Sequence, residues 1–333
     1  MLAPCFLYGC HCIISGTILQ APDKNRIQFG HSGLILNLLR AEESPVSKER
    51  RYTVMKKILA LVLAMLMVTG AALADEINVI SREDGSGTRG AFIELFGIEQ
   101  KDENGVKIDM TTDEADITNS TSVMMTSVSG NDAAIGYISL GSLNETVKAL
   151  AIDGTAASVE NIKNGSYKIA RPFNIATGAN VTEAAQAFID FILSAEGQAV
   201  VEANGYIASV EDAPAYPGSE ISGKVVVAGS SSVTPVMEKL KEAYTALNPN
   251  AEIEIQQSDS SAGMNSLKDG VCDIGMASRE LKDSELEAGL TPIVIAMDGI
   301  AVIVSNENSV DGLSAQQVQG IYTGEVTDWD EIA

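Results

Sequence analysis

The sequence predicts an α/β fold in which strands and helices alternate around a central sheet. Three observations predict it. Short runs such as Ile77-Asn78-Val79-Ile80, Val225-Val226-Val227-Ala228 and Ile253-Glu254-Ile255 have the length and β-branched content of strands. Each is soon followed by a turn rich in Gly and Ser. Each turn then opens onto residues with helical spacing, an alternation that gathers ligands at the carboxyl ends of strands.

The first unit runs from Ile77–Ile80 through Ser81-Arg82-Glu83-Asp84-Gly85-Ser86-Gly87-Thr88-Arg89 to a helix marked by Ala91, Phe92, Leu95 and Phe96. Such a turn leaves unpaired backbone N–H groups and the positive end of the helix dipole at Ser86–Thr88, where an oxyanion fits. Arg82 adds a forked, permanently charged donor. The second unit is the strand Lys224–Ala228, the loop Gly229-Ser230-Ser231-Ser232-Val233-Thr234, and a helix. That helix has Pro235 at its first position and Met237, Leu240, Ala243, Tyr244 and Leu247 along it. The third is the strand Ala251–Ile255, the loop Ser258-Asp259-Ser260-Ser261-Ala262-Gly263, and a short helix over 264–269. A further strand, Asp273–Met276, ends in Ala277-Ser278-Arg279-Glu280 ahead of a helix around 283–288. One such loop is no more than an ordinary capped helix requires. Three of them, with Arg82 and Arg279 nearby, converge most economically on one small oxyanion.

The chain has 333 residues and a net charge of −23, room for two modest domains. Met55-Lys56-Lys57, the apolar stretch Ile58–Val68 and Ala72-Leu73-Ala74 have the three parts of an export signal, so residues 55–74 are expected to direct export. The apolar stretch is short for a membrane span, and no Cys follows it to carry a lipid anchor. Glu49-Arg50-Arg51 can be encoded as GAA-AGG-AGG, a bacterial ribosome-binding sequence. Residues 1–54 are therefore expected to be a mis-assigned upstream leader, and no function is given to Cys5, Cys10, His11 or Cys12.

Residues 1–74 hold 8 Lys+Arg and 4 Asp+Glu, leaving 14 against 41 and a net −27 for residues 75–333. So acidic a surface argues against nucleic acid or an anionic membrane as partner. Both histidines, His11 and His31, lie before residue 75, which removes Ser-His-Asp and Cys-His nucleophile systems from the rest of the chain. Cys272 stands alone there and reads as a small core residue. Gly85-Ser86-Gly87 lacks the Lys-Ser/Thr ending of a nucleotide-binding P-loop. Neither a catalytic residue, a metal nor a cofactor is expected.

These residues resemble the solute-binding proteins of bacterial phosphate ABC transporters over nearly all of residues 76–333. The run Arg82–Thr88 is similar to that family's Arg-x-Asp-Gly-Ser-Gly-Thr signature. By the resemblance, Arg82, Ser86, Gly87 and Thr88 hold phosphate and Asp84 orients Arg82. Ser231 and Ser232 match the family's first phosphate loop and Ser260 its second; Arg279 is taken as a further ligand. Asn119-Ser120-Thr121 and Ala134–Ser139 are similar to segments with structural roles. The resemblance implies a two-lobed periplasmic-binding-protein-like fold with a hinge and an interlobe cleft. It also implies an exported, monomeric receptor, at the periplasm or the outer side of the cytoplasmic membrane, that passes inorganic phosphate to a membrane permease. A receptor for sulfate, arsenate or molybdate, or a stand-alone phosphate sensor or scavenger, is the alternative.

Two departures from the family pattern stand out. The Ser-rich loops here follow the Arg82–Thr88 loop instead of preceding it, so the chain is expected to be circularly permuted, with Ser209–Gly223 joining the ancestral ends. A fragment of a tandem protein is the competing reading. One lobe would comprise 75–170 plus 305–333 and the other 171–304, hinged on Arg171–Ala176 and Gly299–Val304. The second departure is Arg279, which replaces an Asp. Phosphate can carry a proton near neutral pH and sulfate cannot, so an acceptor carboxylate would favour phosphate. Asp84 and Asp259 are the candidates for that role.

Overall fold

The computed structural model describes residues 55–57 and 76–332. The expected leader, residues 58–74 of the export segment, and Cys5, Cys10, His11 and Cys12 lie outside the described residues. Residues 76–332 belong to one compact unit, Ala72–Ala333.

Its framework is a mixed ten-stranded sheet. The principal strands are β1 (Asn78–Arg82), β4 (Asp116–Thr118), β5 (Ala134–Ser139), β8 (Ala170–Thr177), β10 (Gly223–Ser230), β11 (Ala251–Ser258), β12 (Ile274–Ala277) and β13 (Thr291–Val304). They lie in the order β11-β10-β12-β8-β13-β5-β1-β4. Short strands complete the set: β2 (Glu99–Lys101) and β3 (Lys107–Asp109) form a hairpin, and β7 (Ala151–Ile152) pairs with β14 (Gly312–Leu313). Two others, β6 (Lys148–Ala149) and β9 (Ile207–Ala208), attach to β13.

Strand β13 divides the sheet. Residues 291–299 run antiparallel to β8, up to Gly299 opposite Ala170. Residues 300–304 run antiparallel to β5, beginning with Ile300 opposite Ser139. In the first half β1 is parallel to β4 and β5; in the second β10 is parallel to β11 and β12. Parallel strands covered on both faces are buried along their length. Thus Val79, Ile80, Ser81 and Arg82 are all buried, the polar pair included.

The helices are α1 (Gly87–Leu95), α2 (Thr121–Ser129), α3 (Val159–Lys163), α4 (Glu183–Ile192), α5 (Ala195–Ala203), α6 (Thr234–Leu247), α7 (Ser260–Lys268), α8 (Asp283–Glu287) and α9 (Ala315–Tyr322). Ser86, Ser120 and Asp259 cap α1, α2 and α7, each side chain accepting a backbone N–H of the first turn. The first-half core is centred on Phe92, whose ring lies 3.9 Å from Tyr137 and 4.6 Å from Tyr322. The second-half core gathers Phe188, Phe191 and Tyr244, with Tyr216 packed on them. Burying each such aromatic contributes about 1.5–3 kcal/mol.

The structure departs from the sequence reading in three places. Helix α7 starts at Ser260, not Met264, because the Asp259 carboxylate accepts Ala262 N–H at 2.8 Å and begins the helix early. The β2–β3 hairpin carries no apolar period, and most of its residues are exposed. Residues 300–304, expected in the second lobe, pair with β5 because β13 continues past Asp298 and Gly299 as one strand into the first half. Apart from these, segment 209–223 is tied down: Pro214 O accepts Ala195 N–H, and Tyr216 N–H donates to Glu196 at 2.6 Å.

Candidate oxyanion site

Five chain segments meet at the carboxyl ends of the parallel strands. They are the loop after β1, the start of α2, the loop after β10, the end of β12 and, packed against that last segment, the start of α7. The hydroxyl residues Thr88, Thr121, Ser230, Ser231, Ser232, Ser260 and Ser278 that they contribute are all buried. Thr88 Oγ1, from the first half, lies 2.8 Å from Ser232 Oγ and 3.2 Å from Ser278 Oγ, both from the second. Thr121 Oγ1 lies 3.1 Å from the same Ser232 hydroxyl. Ser230 Oγ donates to Ser278 Oγ at 3.0 Å, and Ser278 N–H donates to Ser260 Oγ at 3.2 Å.

Arg82 is 2% exposed and reaches across to Ser231, donating from Nη2 to its Oγ at 3.1 Å. Its backbone N–H donates to the Tyr137 hydroxyl at 3.1 Å, and that hydroxyl also shares a hydrogen bond with Ser81. Burial pushes the Tyr137 phenol up to about 12, so it stays protonated there. Arg89 steadies the loop from outside, donating from Nη1 to Arg82 O at 2.7 Å and pairing with Asp109.

The glycines make the close approach possible. A Cβ on Gly87 would run into Ser260 Oγ and would lie 2.9 Å from Ser278 Oγ and 3.0 Å from Arg279 Cγ. One on Gly85 would overlap the Asp259 carboxylate, whose neighbour Ser261 donates its N–H to Gly85 O at 3.1 Å. The first residues of α1, α2 and α7 all belong to this cluster, so three positive helix ends face it.

Two expected roles are corrected. Asp84 does not orient Arg82: its side chain is 97% exposed and pairs with Arg89 at 2.9 Å. Glu83 takes that role, accepting from Arg82 Nε and Nη2 at 2.7 Å each. Nor is the Arg279 guanidinium free to meet an anion. Glu285 binds it bidentately at 2.8 Å, and Glu280 O and Ser261 Oγ take its other Nη protons at 2.9 and 3.2 Å. Its stem instead covers Gly87, beside a groove of about 610 Å³ lined also by Glu94, Lys107 and Lys282.

Ser86, Gly87, Thr88, Ser231, Ser232 and Ser260 are brought together with Arg82; the Ser86 hydroxyl itself caps α1, accepting Arg89 N–H at 3.3 Å. The sequence reading did not place Thr121, Tyr137, Glu83 or Arg171 at the site. Arg171, at the start of β8, donates from Nη2 to Thr88 Oγ1 at 3.0 Å and pairs with Asp298 at 3.0 Å. Burial lowers Arg171 and raises Asp298 from their usual values, and their mutual attraction opposes both shifts without cancelling either. The signal was a charged residue at the start of a buried strand. Arg82, Arg171 and Arg279 are thus each paired with a carboxylate.

A family profile described as a PBP superfamily domain matches residues 61–196 and 214–333. The phosphate-binding protein PstS 2 of Streptococcus agalactiae is 60% identical over 258 residues, covering 77% of this chain and 88% of that protein. The chain belongs to the PBP superfamily, among its phosphate-binding proteins. The PstS 2 of Streptococcus pneumoniae is 48% identical over 256 residues, covering 77% of this chain and 87% of the relative. A crystal structure of a phosphate-binding protein of a phosphate ABC transporter from S. pneumoniae superposes with a TM-score of 0.62. Its identity is 47%, and the match covers 78% of this chain and all of that one. The mixed α/β architecture described above is that of this superfamily.

Proposed function

We propose that the protein is an exported, non-enzymatic receptor that captures inorganic phosphate between the two halves of the sheet and hands it to the permease of an ABC transporter. The observation that carries the reading is the contact of the Arg82–Thr88 loop with Ser231, Ser232 and Ser278 across the two halves. Backbone and hydroxyl donors in a water-excluded site hold an oxyanion strongly because the local dielectric is low. The streptococcal relatives are named for phosphate binding, which supports phosphate as that anion. Arg82, Ser86, Gly87, Thr88, Ser231, Ser232 and Ser260 are the proposed ligands, with Arg279 as a cover over them.

Opening and closing would bend the chain where β13 passes from β8 to β5 and where Ile169 leads into β8. The halves, about 76–169 plus 300–332 and 170–299, serve as the two lobes. The loop order supports the reading of a circular permutation; a protein reopened within 209–223 and closed at Glu76 and Asp328, which already bridge, is expected to fold and bind. Preference for phosphate over sulfate is assigned to Asp259, whose carboxylate lies against Gly85, and not to the exposed Asp84.

Titration calorimetry with phosphate and sulfate between pH 5 and 8 tests the proposal. Phosphate binding is expected to be tighter, and Arg82→Ala is expected to weaken it by on the order of 30-fold or more. No heat with either anion would remove the receptor reading. Equal affinity for both would remove the specificity assignment, and Asp259→Asn should narrow the gap between them.

A further inference from the structure

Arg171 is placed between everything that must move. It is 3% exposed, at the start of β8 beside the point where β13 changes partner. Nε donates to Ser278 O at 2.9 Å, Nη1 to Asp298 Oδ2 at 3.0 Å and to Gly299 O at 3.1 Å, and Nη2 to Thr88 Oγ1 at 3.0 Å. The first three partners belong to the second half of the sheet. Only Thr88 belongs to the first.

A guanidinium donates and never accepts. Thr88 Oγ1 must therefore accept from Arg171, which turns the Thr88 proton toward Ser232, Ser278 or an oxyanion held among them. Asp298 matches the charge of Arg171, and its other oxygen accepts Gly141 N–H at 3.1 Å from the first half. The pair adds no net charge to attract an anion from a distance, so its effect falls on retention and not on encounter. If the halves part, the bonds to Ser278, Asp298 and Gly299 travel with Arg171, while the Thr88 bond is made only when they meet. A contact present in one state alone shifts the equilibrium toward that state.

We infer that Arg171 is a positioning residue for anion capture, coupling closure of the two halves to the binding competence of Thr88 through a hydrogen bond made only in the closed arrangement. The inference rests on the oxyanion-receptor reading, and the experiment separates the two. Phosphate binding by the protein is measured by calorimetry and stopped-flow for the wild type and for Arg171→Gln/Asp298→Asn, which removes both buried charges together. Thr88→Val and the triple variant complete the cycle.

The expected result is a Kd raised on the order of 10- to 100-fold in Arg171→Gln/Asp298→Asn, as for loss of a charge-assisted hydrogen bond. It should appear in the dissociation rate, with association within about twofold. On the Thr88→Val background the same change should cost less than about twofold. Equal losses on both backgrounds, or a loss confined to association, would overturn the inference while leaving the receptor reading intact. A wild type that binds no phosphate would overturn both. Should melting without phosphate show the paired variant unfolded, Arg171→Lys takes its place in the cycle; its single ammonium cannot span four acceptors, so the same non-additivity is expected and additivity again refutes it.

Discussion

Replacing Gly87 by Ala tests whether the two halves must meet as closely as they do here. The added methyl would run into Ser260 Oγ and lie 2.9 Å from Ser278 Oγ, both across the cleft. Ser260 could rotate away only by giving up the N–H of Ser278, which it accepts at 3.2 Å. A buried N–H left unpaired costs about 1–3 kcal/mol, and forcing a methyl into a filled contact costs about the same. Either route weakens phosphate binding by roughly 5- to 150-fold. Folding of each half should be little changed, since the collision arises only between them. Gly90→Ala is the matched comparison: its nearest atom across the cleft is Arg279 Cδ at 3.9 Å, and Ala favours the helix. Calorimetry and ligand-free melting on both variants decide the matter. A Gly87→Ala protein that binds within twofold of wild type, or no worse than Gly90→Ala, would refute the reasoning.

Other outcomes follow from the same contacts. Tyr137→Phe leaves the buried Arg82 N–H without its acceptor and should lower stability by about 1–3 kcal/mol in denaturant titration. Asp84→Ala, which removes an exposed carboxylate, should leave phosphate affinity within about threefold by calorimetry. Burial alone would raise the Glu285 carboxyl, but hydrogen bonds from Arg279 and Lys282 outweigh it and hold the group below its usual 4.5. A depressed carboxyl stabilises the fold above its unfolded value, and that contribution vanishes as pH falls through the folded one. The melting-temperature gap between wild type and Glu285→Gln should therefore be full above about pH 4.5 and close below it. A gap that persists through that fall would show that the pair does not act as described.

Much of this was legible in the sequence, because strand, turn and helix signals recur together at 77–96, 224–247 and 251–268. Those signals also gathered the loops at 229–234 and 258–263 with the Arg82–Thr88 loop, and the family resemblance picked out Ser231, Ser232 and Ser260 within them. What escaped depends on direction. Glu83 and Asp84 are adjacent and equally charged, and only the path of the loop sends one to Arg82 and the other to solvent. Arg279 seemed poised for an anion until Glu285, on α8, claimed it. Arg171 read as part of a strand, since its partners Thr88 and Ser278 lie far from it in sequence. Tyr137 read as structural, and its ring is; its hydroxyl nevertheless fixes the backbone of Arg82.

The division of β13 between two partners also sets an order of completion during synthesis. The second half acquires all its sheet partners by residue 299, since β8, β10, β11 and β12 all precede the last residue of β13 that pairs with β8. The first half begins earlier but waits longer. Its β5 needs residues 300–304, and Phe92 and Tyr137 need Tyr322, whose hydroxyl donates to Ile80 O at 3.2 Å. The Arg82–Thr88 loop, the earliest of the proposed anion loops to be made, is therefore the last to gain its support, and a chain interrupted before Tyr322 would carry a finished half beside a loop with no floor.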